Sequence, residues 1–217
     1  MTRRLLVCLA LLLAATASPA KPRHGPADAE AAGRFDYYVL TLSWSPVYCE
    51  QHPDDRQQCG GKRYGFVLHG LWPQYTNGGH PSSCATPARL DEAARAVGKA
   101  VFPSEKLVAH EWQRHGTCSG MAPKAYFEAA DAARRSIAIP PQLEPGARTR
   151  ETTAQDVSRA IRDSNPRITR RGIAVVCSGP ELAEVRICLS KDLQPMACGG
   201  GVHDACRSGP IRVPGAR

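Results

Sequence analysis

Eight cysteines follow the N-terminal leader of this chain and constrain its fold more than any other feature. They stand at Cys49, Cys59, Cys84, Cys118, Cys177, Cys188, Cys198 and Cys206, while Cys8 lies in the leader itself. Eight is an even number, and no C-x-x-C pair with zinc-finger spacing is present. The pattern therefore predicts four disulfides rather than a metal site, although cysteine counting does not choose among the many connectivities.

Residues 1–20, MTRRLLVCLALLLAATASPA, have the composition of a secretory signal peptide. Arg3 and Arg4 precede an apolar run that is too short to span a membrane, and small residues precede Lys21. The absence of glycosylation sequons and the Ala- and Arg-rich composition fit a bacterial protein. We therefore expect an exported protein, periplasmic or extracellular, without a membrane span.

The net charge favours an anionic partner. It is +8 for the whole chain and falls to +6 when Arg3 and Arg4 leave with the leader. Such a protein can bind nucleic acid or a membrane surface, and charge alone does not distinguish the two. The 197 residues that remain after residue 20 suit a single domain with a sizeable core. A monomer is the default expectation for a basic, disulfide-bonded domain of this size.

The apolar patterns predict an α+β domain at residues 35–206, with a mainly antiparallel central sheet and several helices. Strands are expected at 35–44, 64–68, 172–177 and 183–189, and helices from residue 86 and over 104–116, 123–137 and 153–165. Residues 21–34 are predicted as a flexible lead-in, and residues 207–217 as a basic disordered tail.

The stretch SEKLVAHEWQRHGTCSG, residues 104–120, concentrates titratable side chains. Ser104 suits a helix N-cap and Gly116 a helix end. Four ionisable side chains then fall within an arc of about 140° on the helix: His110, Glu111, Arg114 and His115. We expect Glu111, one turn before His115, to orient that imidazole and to favour its protonated form.

Two other interpretations of this helix compete with a proton-transfer site. The zinc-protease pattern H-E-x-x-H needs histidines at i and i+4, but His115 comes five residues after His110, which argues against a zinc protease. A solvated helix face with i,i+4 pairs is the bland alternative, and the helix alone leaves it open.

His69 strengthens the catalytic interpretation, because it ends an apolar strand and is followed at once by Gly70. A histidine at a strand end can simply be structural, and Trp72 can simply be core. Together with the helix, however, the chain has the parts needed to move two protons across a phosphodiester. RNA carries its own nucleophile, the 2′-hydroxyl, so its cleavage needs an acid, a base and positive charge but no metal or cofactor.

Two separated segments resemble the active-site motifs of the ribonuclease T2 family. They are HGLWPQY at residues 69–75 and HEWQRHGTC at residues 110–118, and the resemblance extends to LSWSPVYC at residues 42–49 and to the cysteine layout. It covers most of the mature chain. The family implies that the product is a 2′,3′-cyclic phosphate, slowly hydrolysed to a 3′-phosphate, and that DNA is not cut.

The resemblance also implies residue roles. His115 matches the general base toward the 2′-hydroxyl, His69 matches the general acid toward the 5′-oxygen, and Glu111 matches a catalytic residue that stabilises the pentacoordinate phosphate. Phosphate-binding positions correspond to His110 and Arg114, and base-binding positions to Trp72 and Tyr75. Many relatives carry lysine at the position of Arg114, so a planar fork replaces a point donor there.

The implied disulfides are Cys49–Cys59, Cys84–Cys118, Cys177–Cys206 and Cys188–Cys198. The second of these would fix the two motif segments relative to each other, which proximity catalysis requires. The main alternative function is a secreted RNA-binding or toxin-like module with the same fold and little activity. A metal-dependent hydrolase is a third possibility, and a purely structural scaffold would leave the clustered histidines unexplained.

Overall fold

The computed structural model describes residues 32–85 and 89–216, in which six α-helices and six strands form. In chain order these are β1 (Tyr37–Trp44), α1 (Ser45–Gln51), α2 (Arg56–Cys59), β2 (Phe66–Gln74), α3 (Glu92–Val101), α4 (Glu105–Arg114), α5 (Pro123–Arg135), β3 (Arg150–Thr153), α6 (Ala154–Ser164), β4 (Ile173–Ser178), β5 (Glu181–Leu189) and β6 (Pro210–Val213). The predicted signal peptide, and all but the last residues of the predicted lead-in, lie outside the described ranges. Within those ranges, no helix combines the length and apolarity that crossing a bilayer demands.

All six strands join one sheet, in the order β2-β1-β5-β6-β3, with β4 paired to β5 beside this path. The strand pairs are antiparallel except for β5 and β6, which meet in parallel at one residue pair. The predicted α+β class with a mainly antiparallel sheet is confirmed. The helices predicted over 104–116, 123–137 and 153–165 form as α4, α5 and α6. α3 begins at Glu92 behind an Asp91 cap rather than near residue 86, and the short helices α1 and α2 were not predicted. Residues 86–88 fall outside the described ranges.

The side chains of β1 alternate between the two sides of the sheet. Its even-numbered residues join the main core together with apolar side chains of α4 and α5. Its odd-numbered residues face the other side, where Tyr37 and Val39 form a smaller cluster with Trp72. The candidate site is built on this second side.

Four disulfides connect the described residues, and each is the pairing implied by the family resemblance: Cys49–Cys59, Cys84–Cys118, Cys177–Cys206 and Cys188–Cys198. Cys84–Cys118 joins the loop after β2 to the short turn Gly116–Cys118 that follows α4. The backbone N–H of Ser83 also donates to the carbonyl of Arg114, at 2.9 Å. These bonds hold the β2 motif and the α4 motif in one geometry.

The strand predicted at residues 64–68 is too short. β2 continues through His69 as far as Gln74, so the motif that was expected to form a loop is itself a strand. Pro73 lacks an N–H, and the strand tolerates it because β2 lies at an edge of the sheet.

The disordered tail predicted at residues 207–217 is wrong where β6 forms beside β3. Ile211 and Val213 are buried there, and the indole N–H of Trp44 donates to the carbonyl of Pro214 at 2.9 Å. The polar, Pro- and Gly-containing sequence suggested a free end. Two buried apolar side chains and a strand partner order it instead.

Candidate active site

A cavity of about 380 Å³ opens on the side of the sheet where Trp72 lies. Its polar and charged lining comes from β2, the loop after it, α4 with its C-cap, and β5: Trp72, Gln74, His80, His110, Arg114, His115 and Arg186. The fold therefore brings the two sequence motifs to one place, as predicted. β5 contributes Arg186 as well, which no sequence motif indicated.

His69 occupies a β-bulge in the middle of β2. Thr41 and Leu42 of β1 pair with Gly70 and Leu68, so His69 is the extra residue between two paired positions. A bulge redirects the side chain of the extra residue. His69 is thus placed by a break in strand register, not by the strand end that the sequence suggested.

Glu184 of β5 holds His69 from the other side of β1. The Nδ1 atom of His69 lies 2.7 Å from Oε1 of Glu184, and Oε2 accepts from Nε and Nη2 of Arg186 at 2.9 and 2.7 Å. Burial would raise the pKa of Glu184, but the hydrogen bonds and positive charges of His69 and Arg186 outweigh it and lower that pKa. An ionised carboxylate only accepts, so Nδ1 of His69 carries the shared proton.

Trp72 contacts both histidines that are predicted to transfer protons. Its ring meets His69 edge-on with centroids 5.0 Å apart and stacks on His115 with centroids 5.1 Å apart. The guanidinium of Arg186 lies 5.6 Å from the same ring. Trp72 therefore spaces the two imidazoles within one cluster.

Glu111 and His115 are both buried, so the solvated helix face that the sequence left open as the bland alternative does not hold for these two residues. The indole N–H of Trp72 donates to Oε2 of Glu111 at 2.9 Å. Gly70 makes this contact possible, because a Cβ there would fall 2.1 Å from both atoms. Burial raises the pKa of Glu111 well above 4.5, against the opposing hydrogen bonds of Trp72 and Tyr126. Glu111 therefore keeps its proton to a higher pH than an exposed glutamate.

His115 is the C-cap residue of α4. Burial, followed by the positive charge of nearby side chains such as His80, lowers the pKa of His115 to about 3. Its Nδ1 is buried without a hydrogen-bond partner among the described residues, which leaves Nε2 to meet a substrate. The expectation that Glu111 orients this ring and favours its protonated form is wrong, because Glu111 bonds to Trp72 and burial favours neutral His115.

His110 and Arg114 are exposed on α4 at the mouth of the cavity. The ring of His115 lies 6.4 Å from that of His110 and 6.1 Å from that of His80, measured between centroids. Burial lowers the pKa of His110, and the charges of His69 and Arg114 act in the same direction. Arg114 is then the α4 side chain that brings a permanent positive charge to the cavity.

Tyr75 lies outside this cavity. Trp72 and Gln74 are two residues apart on β2 and both line the cavity, whereas Tyr75 follows Gln74 and points elsewhere. Its ring packs, partly buried, against the main core. The structure therefore does not support the predicted base contact of Tyr75.

His110, Glu111 and His115 each offer a ligand atom within 4.8 Å of the other two, so this set could hold a metal ion. Two imidazoles and a carboxylate are ligands that zinc accepts. A carboxylate ligand must be ionised, however, whereas burial favours protonated Glu111 and its Oε2 already accepts from Trp72. Activity in the presence of a chelator would distinguish a metal site at these three residues from a site that transfers protons without a metal.

Sequence reasoning missed His80, Glu184 and Arg186. The segment ELAEVRICL alternates polar and apolar residues, which predicted a strand but not the neighbours of its polar side. Glu184 reaches His69 because β5 lies next to β1 and β1 lies next to β2. Strand order of this kind is not contained in any local pattern.

The model of the ribonuclease T2 family matches residues 35–198 of this chain. A ribonuclease of Aeromonas hydrophila is 43% identical over 146 residues, which cover 67% of this chain and 64% of that protein. A probable ribonuclease of Haemophilus influenzae is 31% identical over 184 residues, which cover 77% of this chain and 62% of that protein. The matched part thus spans less than two thirds of the length of either bacterial relative.

Solved structures share the fold. An RNase-related protein from Calystegia sepium has a TM-score of 0.65 at 25% identity and covers 83% of this chain and 97% of that chain. A mutant of RNase MC1 in complex with 5′-UMP has a TM-score of 0.61 at 21% identity, with coverage of 82% and 97%. Both similarities extend over nearly the whole of the described structure.

Proposed function

The chain belongs to the ribonuclease T2 family, and we propose that it is an endoribonuclease that cleaves single-stranded RNA without a metal ion. The observation that carries the proposal is the contrast between two histidines that contact the same indole. His69 is bonded to a carboxylate, whereas His115 is buried with a lowered pKa and no carboxylate partner. Two titratable groups in such different environments suit an acid and a base.

In the first step, Nε2 of His115 takes the proton of the 2′-hydroxyl, and the 2′-oxygen forms a bond to phosphorus. The bond between phosphorus and the 5′-oxygen breaks, and Nε2 of His69 protonates the leaving oxygen. The products are a 2′,3′-cyclic phosphate and a free 5′-hydroxyl. His115 starts neutral because its pKa is lowered to about 3, and the bond from Nδ1 of His69 to Glu184 leaves Nε2 of His69 to carry the proton that this step transfers.

The second step restores both histidines. Neutral His69 takes a proton from water, and the water oxygen bonds to phosphorus. The bond from phosphorus to the 2′-oxygen breaks, and protonated His115 returns its proton to that oxygen. A 3′-phosphate results, and no group outside the chain, the RNA and water is consumed.

Positive charge at the cavity mouth would stabilise the dianionic phosphorane. Arg114 offers a planar fork to two phosphate oxygens, and His110 adds a donor one turn away.

Glu111 is proposed to act as a protonated acid, since a carboxylate would repel the phosphate. Its burial behind Trp72 means that it acts either after Trp72 moves or through the Trp72 indole. Trp72 remains the proposed base-binding residue, with low base specificity.

The proposed setting is an oxidising compartment outside the cytosol, entered after removal of residues 1–20, with the protein acting as a monomer. Four disulfides in a single domain support that setting. N-terminal sequencing of exported protein tests the leader: a mature chain beginning near Lys21 is expected, and retention of residues 1–20 would contradict it.

A second candidate function is an RNA-binding or toxin-like module with little activity. The observation in its favour is that Glu111 is shielded from the cavity. An oligonucleotide with one 2′-deoxy position among ribonucleotides separates the two functions. The enzyme should cut every ribonucleotide linkage except the one after the deoxy position. Binding of this oligonucleotide without cleavage at any linkage would favour the RNA-binding module. Cleavage after the deoxy position would exclude the 2′-hydroxyl as nucleophile.

A further inference from the structure

We propose that Glu184 is the positioning residue of His69, and that Arg186 holds Glu184 in place. This inference rests on the proposed ribonuclease activity and adds two residues of β5 to a site that the motifs place on β2 and α4. It assigns orientation of the acid to Glu184, a task that Glu111 does not perform for either histidine in this structure.

The sheet explains how Glu184 reaches His69. β1 lies between β2 and β5, and its residues Thr41 and Ser43 pair directly with Arg186 and Glu184. Directly paired residues share one side of a sheet, so both β5 side chains stand on the side that carries the cavity. Thr41 and Ser43 are small, and the longer side chains of His69 and Glu184 meet across them.

The contact determines which nitrogen of His69 is free to react. Oε1 of Glu184 lies 2.7 Å from Nδ1, so Nδ1 keeps its proton and only Nε2 can exchange one with RNA. After Nε2 gives up its proton, the neutral ring is already the Nδ1–H tautomer and its bond to Glu184 persists. Glu184 stays ionised throughout, because its pKa is lowered by its partners.

Arg186 connects Glu184 to the cavity that Trp72 lines. It donates twice to Oε2, at 2.9 and 2.7 Å, which prevents rotation of the carboxylate about its last bond. Its guanidinium also lies 5.6 Å from the Trp72 ring, and it lines the cavity. One arginine thus orders both neighbours of His69.

Glu184 is the carboxylate among otherwise cationic or neutral neighbours of His69. Arg186 comes from β5, and His110, Arg114 and His115 come from α4 and its C-cap. The charge of His69 acts on both His110 and His115, so these groups lie within electrostatic reach. Glu111 is buried and favours its neutral form. Without Glu184, the charges nearest to protonated His69 would be the positive ones of Arg186 and Arg114.

Glu184→Gln and Glu184→Ala separate charge from position. Gln keeps an acceptor for Nδ1–H but removes the negative charge, and Ala removes both. Turnover should fall roughly 10- to 100-fold in Gln and further in Ala, as expected for a partner that orients a reacting group. KM for RNA should change by less than about twofold, and the alkaline limb of the kcat/KM profile should move to lower pH.

Glu181→Gln is the matched control. Glu181 lies on the same strand and pairs with Arg212 at 2.7 Å, on the far side from the cavity. It should leave turnover and the pH profile unchanged. Turnover within twofold of the parent and an unmoved alkaline limb in both Glu184 variants would overturn the proposal. Equal loss in Glu181→Gln would reduce Glu184 to a stabilising residue.

Nitrogen NMR of the His69 ring supplies a readout that needs no activity. The parent and Glu184→Gln should show the Nδ1–H tautomer when neutral, and Glu184→Ala should show a mixture with a different titration midpoint. Unchanged His69 spectra in the Ala variant would overturn the positioning role. An inactive parent with the expected spectra would defeat the proposed reaction but keep the contact.

Discussion

The indole N–H of Trp72 donates to the buried carboxyl of Glu111 across 2.9 Å and joins residues 39 positions apart in the chain. Trp72 comes from the β2 motif and Glu111 from the α4 motif, so this bond connects the two halves of the site. Gly70 leaves room for both groups. The same indole touches His69 and His115, which makes Trp72 the centre of the cluster.

Replacing Glu111 with glutamine should slow turnover more than it weakens RNA binding. Gln keeps the size and the acceptor for the Trp72 indole but has no acidic proton to offer the phosphorane. We expect kcat to fall by roughly 10²-fold, the size of effect seen when one donor to a developing charge is lost. Kd for a non-cleavable 2′-deoxy oligonucleotide measures binding separately. A larger change in Kd than in kcat would make Glu111 a binding residue.

The same variant should be more stable than the parent at alkaline pH. The pKa of Glu111 is raised in the folded chain, so above pH 4.5 the unfolded chain releases a proton that the folded chain keeps. Stability linked to this group is therefore present below pH 4.5 and is lost as pH rises toward the folded pKa. Glutamine does not titrate. The difference in unfolding free energy, variant minus parent, should grow from pH 5 to pH 8 in denaturant titrations, and a constant difference would contradict the raised pKa.

The fold class and the two motif segments could be predicted from sequence because they depend on local features. Alternation identified β1 and β5, and Ser104 identified the start of α4. The bulge at His69, the burial of Glu111 and the contact to Glu184 depend on register and strand order instead. Such features arise only when distant segments pack.

The alanine variants of His69 and His115 should each lower turnover by at least about 10²-fold with the fold intact, because each removes a proton-transfer group. Activity of either variant within a few-fold of the parent would show that the site is misassigned.

The pH profile of kcat/KM should be bell-shaped. Its acidic limb should lie well below pH 6.5, since the pKa of His115 is lowered to about 3 and the base is already neutral above that. A profile that is flat from about pH 4 to pH 9 would exclude the acid-base pair.

Removing the Cys84–Cys118 disulfide should reduce activity even where the protein stays folded. The bond closes a separation of 34 residues and holds the end of α4 beside the loop after β2. Changing both cysteines to serine should cost about 3 to 4 kcal/mol of stability. Cys49–Cys59, with a separation of 10, lies outside the cavity and serves as the control. Assayed well below both unfolding temperatures, only the first variant should lose turnover; equal turnover would deny the disulfide a role in aligning the site.

The most direct test is digestion of single-stranded RNA by the purified mature protein in excess EDTA, alongside DNA of the same sequence, with product ends identified by mass spectrometry. We predict RNA fragments that end in 2′,3′-cyclic phosphate and later in 3′-phosphate, with the DNA intact. RNA that is bound but not cut would leave the fold in place and overturn the proposed enzyme. Cleavage that stops in EDTA and returns with added metal would instead assign the reaction to His110, Glu111 and His115 as metal ligands.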